Sequence, residues 1–335
     1  MYNLKIYDET YLEKRLHVQK IHQWDFERDI NWNLKVDTNK YLLPLDQSNI
    51  IFPGASAEQR LAISQFMGLI VASTISQLEM VAIKLKGPTW DKPLKKNPIN
   101  PEFRELGEQF YLEEEKHSRA FGKYIDKFAS ALEIEPEQLR NFLPSANKTL
   151  IEKLYSLNAE LGGSALWWLV AAVEEESLLF YNLIHNSRND IDPLYYQIHR
   201  CHYEEESRHA NYAPMMLEFH HHFSNKLQKN IFSKVEFLMA EVLNMTWTFN
   251  QLIKLKSLKS LKNKHPFFEV MYSTVDLLKG QSPLQVLHQL FTSAPYISSN
   301  LHLSAHQHVQ EMLVRYGAFK MPLPETKKVV LTCTA

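Results

Sequence analysis

Two short segments constrain this chain more than any other: EEEKH at 113–117 and EEESRH at 204–209 each carry Glu-x-x-His, as Glu114/His117 and Glu206/His209. On an α-helix, positions i and i+3 lie on one face about a turn apart, so each pair presents a carboxylate and an imidazole together. Stepping by threes and fours places the first pair on the stripe Phe110, Glu114, His117, Phe121, Tyr124, Phe128. The second falls on Tyr195, His202, Glu206, His209, Ala213, which adds a third histidine. Such stripes face the interior of a helical bundle. A carboxylate buried there unpaired costs on the order of several kcal/mol, so both helices demand a counter-charge. One Glu-x-x-His alone is a weak signal, because helices are rich in Glu and such pairs often sit on solvated faces. Two of them on otherwise apolar stripes are not. The i, i+4 pairs Glu113/His117 and Glu205/His209 fit a helix as well; the stripes favour the i+3 choice, with Glu204 and Glu205 facing solvent or lying behind Glu206.

The rest of the chain offers the scaffold such stripes need. Its 335 residues are 45% hydrophobic, enough for a large core, and only nine are glycine. So few glycines argue against turn-dense β architectures and phosphate-cradling loops. Helical periodicity runs over 56–86, 101–130, 147–186, 192–219 and 225–257, then over shorter windows at 266–279, 283–292 and 300–316. Asn100-Pro101 and Asp192-Pro193 read as a cap followed by a first-turn proline, and 86–101 as a proline-rich connector. The expected fold is therefore all-α: a wrapping segment over 1–50, a bundle core over 51–225, further helices packed on it over 226–320, and a tail over 321–335.

Composition removes several function classes. A formal net charge of -1 gives no basic excess for nucleic acid. Cys201 and Cys333 are the only cysteines, too few for a disulfide framework or an iron–sulfur cluster. No secretory signal opens the chain, and the longest apolar run, ALWWLVAAV at 165–173, is about half a membrane span. The expectation is a cytoplasmic protein without membrane or nucleic-acid partners.

Two further helices each supply an acid in an apolar setting. Glu79 is the only charged residue between Arg60 and Lys84. In ALWWLVAAVEEESLLFYNLI the run Glu174–Glu176 interrupts the most apolar helix, and the stripe Ala165, Trp168, Ala172, Glu175, Leu179, Asn182 selects Glu175, with Glu174 the alternative. The candidate metal ligands are thus Glu79, Glu114, His117, Glu175, His202, Glu206 and His209. Four carboxylates and three imidazoles on four helices suit two iron or manganese ions in a ferritin-like bundle. Two divalent ions and four carboxylates also cancel in charge, which a low-dielectric core favours.

The ordered set Glu79, Glu114-x-x-His117, Glu175, His202-x3-Glu206-x2-His209 resembles the di-iron aminobenzoate N-oxygenases (AurF-type) over about residues 55–225. The third histidine is the most specific part of that likeness. The resemblance implies an O2-dependent enzyme that oxidises an aryl amine through a diferric peroxo species, with electrons from an external reductant, and a homodimer. It implies that Glu79 and His117 hold one iron, that Glu175, His202 and His209 hold the other, and that Glu114 and Glu206 bridge. Arg208 is a candidate for pairing with a substrate carboxylate, and Thr74, Ser76, Met80 and Tyr181 for lining a pocket. The rival readings are another di-iron or manganese/iron oxidase, which has less need of a third imidazole, and an iron-binding bundle without catalysis.

Overall fold

The computed structural model describes residues 4–44, 54–143, 148–225, 234–243 and 265–282, with the isolated positions 285, 309 and 311. Among the described residues the regular structure is helical, apart from one isolated bridge between Tyr41 and Ile191. The helices are α1 (Glu9–Ile21), α2 (Ala57–Lys84), α3 (Lys92–Lys96), α4 (Pro101–Ala131), α5 (Pro136–Phe142), α6 (Lys148–Glu160), α7 (Ala165–Asn186), α8 (Pro193–Phe223) and α9 (Pro266–Ser273). The all-α expectation holds. Apart from positions 285, 309 and 311, the C-terminal windows at 283–292 and 300–316 and the tail lie outside the described residues, as does most of 225–257, although 234–243 is helical.

Local chemistry sets the main boundaries. Ser56 and Gln59 form a capping box ahead of α2, Asn100 caps α4 by accepting from Glu102 N, and Asp192 caps α8 by accepting from Tyr195 N. The window read as one helix over 147–186 is two, α6 and α7. Gly162 takes a left-handed φ of 82° between them, a conformation that glycine adopts without penalty. The connector at 86–101 is also more ordered than its prolines suggest, since it winds through a π turn, Gly87–Asp91, into α3.

Four long helices make the bundle: α2 packs along α4, α7 along α8, and α4 against α8. By length and composition α2 is apolar enough to cross a membrane, but over half of that window is buried in the fold, 56%. Two apolar cores stack along the bundle. One is built on Trp90, Phe110, Trp167, Trp168 and Tyr212, the other on Phe121, Tyr124, Phe128, Tyr195 and Ile198. Gly107 permits the closest approach in the first: a Cβ there would collide with the Tyr212 hydroxyl and the Trp90 indole nitrogen, which hydrogen-bond to each other at 2.6 Å. The N-terminal residues pack on this frame. α1 lies on α4, and the segment after it reaches α8, where Asn31 N donates to Gln197 and Asp37 N to Asp192.

Candidate metal centre

The ionisable stripes of α4 and α8 meet between the two cores. Glu114, His117, His202, Glu206 and His209 are all buried, as is Glu79, which α2 brings to the same place. Their donor atoms form two overlapping groups, Glu79/His117/His202/Glu206 and Glu114/His117/Glu206/His209, each with all its ligand atoms within 4.8 Å of one another. Phe110 packs on the His209 ring at 4.6 Å and Phe121 on the His202 ring at 5.0 Å, so aromatic side chains from both cores seal the cluster.

The geometry within the cluster is reciprocal. His117 Nδ1 lies 2.9 Å from Glu206 on α8, and His209 Nδ1 lies 2.9 Å from Glu114 on α4. Each Glu-x-x-His thus faces the other's carboxylate. His202 Nε2 lies 2.8 Å from Glu206 Oε1 and 3.1 Å from Glu79 Oε1. That contact places His202 in the Glu79 group, whereas the resemblance implied that it sits with His209. The reason is helical: His202 is a full turn before Glu206, and this carries it toward the end of the cluster where α2 crosses.

Six of the seven expected ligand residues converge. At the seventh position α7 turns the alternative, Glu174, toward the cluster: it is buried, with Oε2 at 3.8 Å from His209 Nδ1, whereas Glu175 is half-buried, and neither belongs to the two ligand groups. In the first two turns of α7 every residue from Ala165 to Ala172 is buried, so apolar stepping there has no polar side from which to take its phase. The later turns do have one: the buried positions are Glu174, Glu176, Ser177, Phe180 and Ile184, and all but Glu176 lie on one stripe that steps by threes and fours through Glu174.

Behind the imidazoles stands a second pair of carboxylates. His117 Nε2 is 2.7 Å from Glu205, and His209 Nε2 is 2.8 Å from Glu113. An ionised carboxylate only accepts, so Nε2 carries the proton in each ring and Nδ1 faces the cluster. Metal-binding histidines are held in this way, which fixes tautomer and orientation together. The true repeat in the sequence is therefore Glu-Glu-x-x-His, and its first glutamate serves the histidine of the opposite helix. The i, i+4 spacing of Glu113/His117 and Glu205/His209 was visible, but only packing shows that each pairs across the bundle instead. Lys116 contacts Glu205 at 2.6 Å, and Arg208 lies 3.5 Å from Glu113 and 3.7 Å from Glu205. Arg208 is thus engaged with these carboxylates. Of the pocket candidates, Ser76 donates to Ser118 O and ties α2 to α4, and Tyr181 stacks on Tyr203 at 4.2 Å.

A family model described as P-aminobenzoate N-oxygenase AurF matches residues 8–257. The chain belongs to the AurF family. No curated protein and no solved structure matches it. The AurF family is a di-iron oxygenase family with a ferritin-like helical fold, and the buried carboxylate–histidine cluster here is compatible with a metal site.

Two observations test whether an AurF-type pair of metal ions fits these residues. First, Glu79 Oε2, Glu114 Oε1, Glu206 Oε2, His117 Nδ1 and His209 Nδ1 are all buried, and although both Nδ1 atoms lie 2.9 Å from a carboxylate oxygen, none of the five atoms makes a hydrogen bond of proper geometry, which buried polar atoms rarely go without. Second, the cluster calls for positive charge. Burial raises the carboxyl of Glu79 well above its ordinary range, and the neighbouring Glu114 and Glu206 raise it further. Burial alone would depress His117, yet the carboxylates of Glu205 and Glu206 on either side of it carry it up to about 9. His209 rises likewise against the effect of burial, through Glu206, Glu113 and Glu114, and Glu206 is held at about 2, chiefly by His209 and His117, although burial opposes it. His202 behaves oppositely: burial and then the other histidines keep it neutral, as a lone-pair donor must be. Metal cations at the two Nδ1 atoms would supply the positive charge that these carboxylates call for, and the donor set fits them.

Proposed function

We propose that this chain is an O2-dependent N-oxygenase that oxidises the nitrogen of an aryl amine, using two iron ions held by Glu79, Glu114, His117, Glu174, His202, Glu206 and His209. The observation that carries the reading is His202: a third buried imidazole, neutral and at 3.1 Å and 2.8 Å from Glu79 and Glu206, enlarges the two-histidine donor set of a simpler carboxylate-bridged site. When bound, the irons supply the activation of O2 and the oxidation of nitrogen, with electrons from an external reductant.

The protein's own residues do the remaining work. Phe110 and Phe121 exclude water from the two ends of the cluster, which strengthens every electrostatic contact inside it. Glu113 and Glu205 hold the His209 and His117 rings with Nδ1 inward. Arg208 is already engaged with both of these carboxylates and with Glu204 O. Aryl amines without a carboxylate therefore belong in the test beside aminobenzoates.

Anaerobic loading with ferrous iron, followed by O2 and a panel of aryl amines, tests the proposal through iron per chain and product mass. The expected result is two irons per chain and an oxygenated nitrogen in the product. Less than one iron per chain would sink the ligand set. Full loading with oxidation only at carbon would leave a di-iron oxygenase and overturn N-oxygenation. In a parallel loading with manganese and iron together, preferential uptake of one of each would favour the rival oxidase reading.

A further inference from the structure

Both carboxylates behind the imidazoles are themselves held by residues from outside the bundle. Gln19, at the end of α1, donates its Nε2 to Glu113 Oε2 at 2.9 Å, the oxygen that also meets His209. Trp24 donates its backbone N–H to Glu205 Oε1 at 3.2 Å, while the other oxygen of Glu205 meets His117. The Trp24 indole lies over the His117 ring, with centroids 5.9 Å apart and planes within 11°. Lys116 completes this corner by donating to Trp24 O at 2.8 Å and to Glu205, with its ammonium 4.3 Å from the Trp24 ring. One turn away, Arg208 donates to His22 O at 3.4 Å. Gln19 and Trp24 are 4% and 5% exposed, so the segment is seated rather than laid on the surface.

We infer that residues 19–24 form a clamp that completes the metal centre from outside the four-helix bundle, with Gln19 and Trp24 as positioning residues for the two histidines. The inference rests on the ligand set proposed above. Its physical basis is a relay of two hydrogen bonds on each side. A cation at Nδ1 draws charge from the imidazole and strengthens the Nε2–H bond to the carboxylate behind it. The carboxylate, held more firmly, is a better-placed acceptor for Gln19 or for the Trp24 amide. Coupling of this kind is reciprocal: if the seated clamp favours metal, then metal favours the seated clamp. The two sides differ in character, because Glu205 receives an ammonium and a backbone N–H, whereas Glu113 receives a neutral amide with Arg208 further off at 3.5 Å. Loss of the Gln19 contact should therefore weigh more heavily on the His209 position.

Cobalt(II) serves as the probe, since its visible absorbance reports ligand geometry without turnover. Titration of the full chain and of Gln19→Leu is expected to show the weaker of two binding steps loosened about tenfold or more in the variant, the range known for partners behind a ligating histidine. Gln197→Leu removes the acceptor for Asn31 N, further along the same segment, and should leave cobalt affinity unchanged. In the unmodified chain, hydrogen exchange of the Trp24 amide is expected to slow about tenfold on cobalt binding, the reciprocal of the same coupling. This second measurement needs no variant, so it decides the matter even if Gln19→Leu does not fold. A wild-type chain that takes up no cobalt sinks the ligand set and the clamp together. Two cobalt ions in the wild type, with equal affinity in Gln19→Leu or with Trp24 exchange indifferent to metal, overturn the clamp alone.

Discussion

Glu174 and Glu175 differ by one position and about a hundred degrees around α7, and this decides which carboxylate reaches His209. Glu174 is buried with an oxygen 3.8 Å from His209 Nδ1, and Glu175 is half-buried. Replacing Glu174 by Gln keeps the volume and removes the charge, so it should lower metal occupancy toward one ion per chain. Glu175→Gln should leave two. Metal analysis after anaerobic reconstitution separates them, and equal loss from both variants would contradict the phase assigned to α7. At the same scale, the glutamates at 113 and 205 show how far residue type can mislead. Each stands in a run of three glutamates, yet both are nearly inaccessible, and the exposed members of the two runs are Glu115 and Glu204.

Among the elements, α8 carries the most chemistry, and its start is fixed by one side chain. Asp192 is fully buried and accepts from Tyr195 N at 2.8 Å, from Asp37 N at 2.8 Å and from the Tyr124 hydroxyl at 3.2 Å. Burial raises its carboxyl above the ordinary value, while these hydrogen bonds pull it back. The residue therefore joins a helix cap, the N-terminal segment and the α4 stripe at one point. Asp192→Ala strands the cap donor Tyr195 N, the buried Tyr124 hydroxyl and the half-buried Asp37 N–H, and should cost about 3 kcal/mol. Asp192→Asn retains an acceptor oxygen and should cost about 1 kcal/mol. Urea denaturation of both variants checks the difference; equal midpoints would mean that the cap alone matters.

The whole molecule sets a further property, its response to acid. His199, on α8 against Phe121 and Tyr195, is driven down to about 3 by burial, and its Nε2 has no hydrogen-bond partner. His220, near the end of the same helix, is lowered to about 4, again chiefly by burial. Both stay neutral in the fold, whereas in the unfolded chain they take up protons near the ordinary histidine value of about 6.5. Below that pH the unfolded state binds more protons, so stability is lost as pH falls, until the folded values are reached. The slope approaches about 1.4 kcal/mol per pH unit for each histidine. Replacing His199 by Leu should remove its share, and the test is the gap in denaturation midpoint between variant and wild type, which should change between pH 7 and pH 5. A constant gap would show that His199 does not titrate in this way.

Much of this protein was legible in the one-dimensional pattern, because a buried carboxylate or imidazole on a helix leaves a mark there. Glu79, Glu114, His117, His202, Glu206 and His209 each interrupt an apolar stripe, and interior positions seldom tolerate that without a partner charge. The all-α class followed from long periodic windows with few glycines, and the caps at Asn100 and Asp192 from side chains that satisfy orphan amides. Three things were decided only in three dimensions. The phase of α7 needed its neighbours, since its first two turns are buried all round and carry no amphipathic signal. The crossed pairing of Glu113 with His209 and of Glu205 with His117 joins residues 96 and 88 positions apart, a distance that no local spacing encodes. The seating of Gln19 and Trp24 behind the site depends on where α1 packs along α4. Helical periodicity records which side of a helix is inward, and only packing determines what waits there.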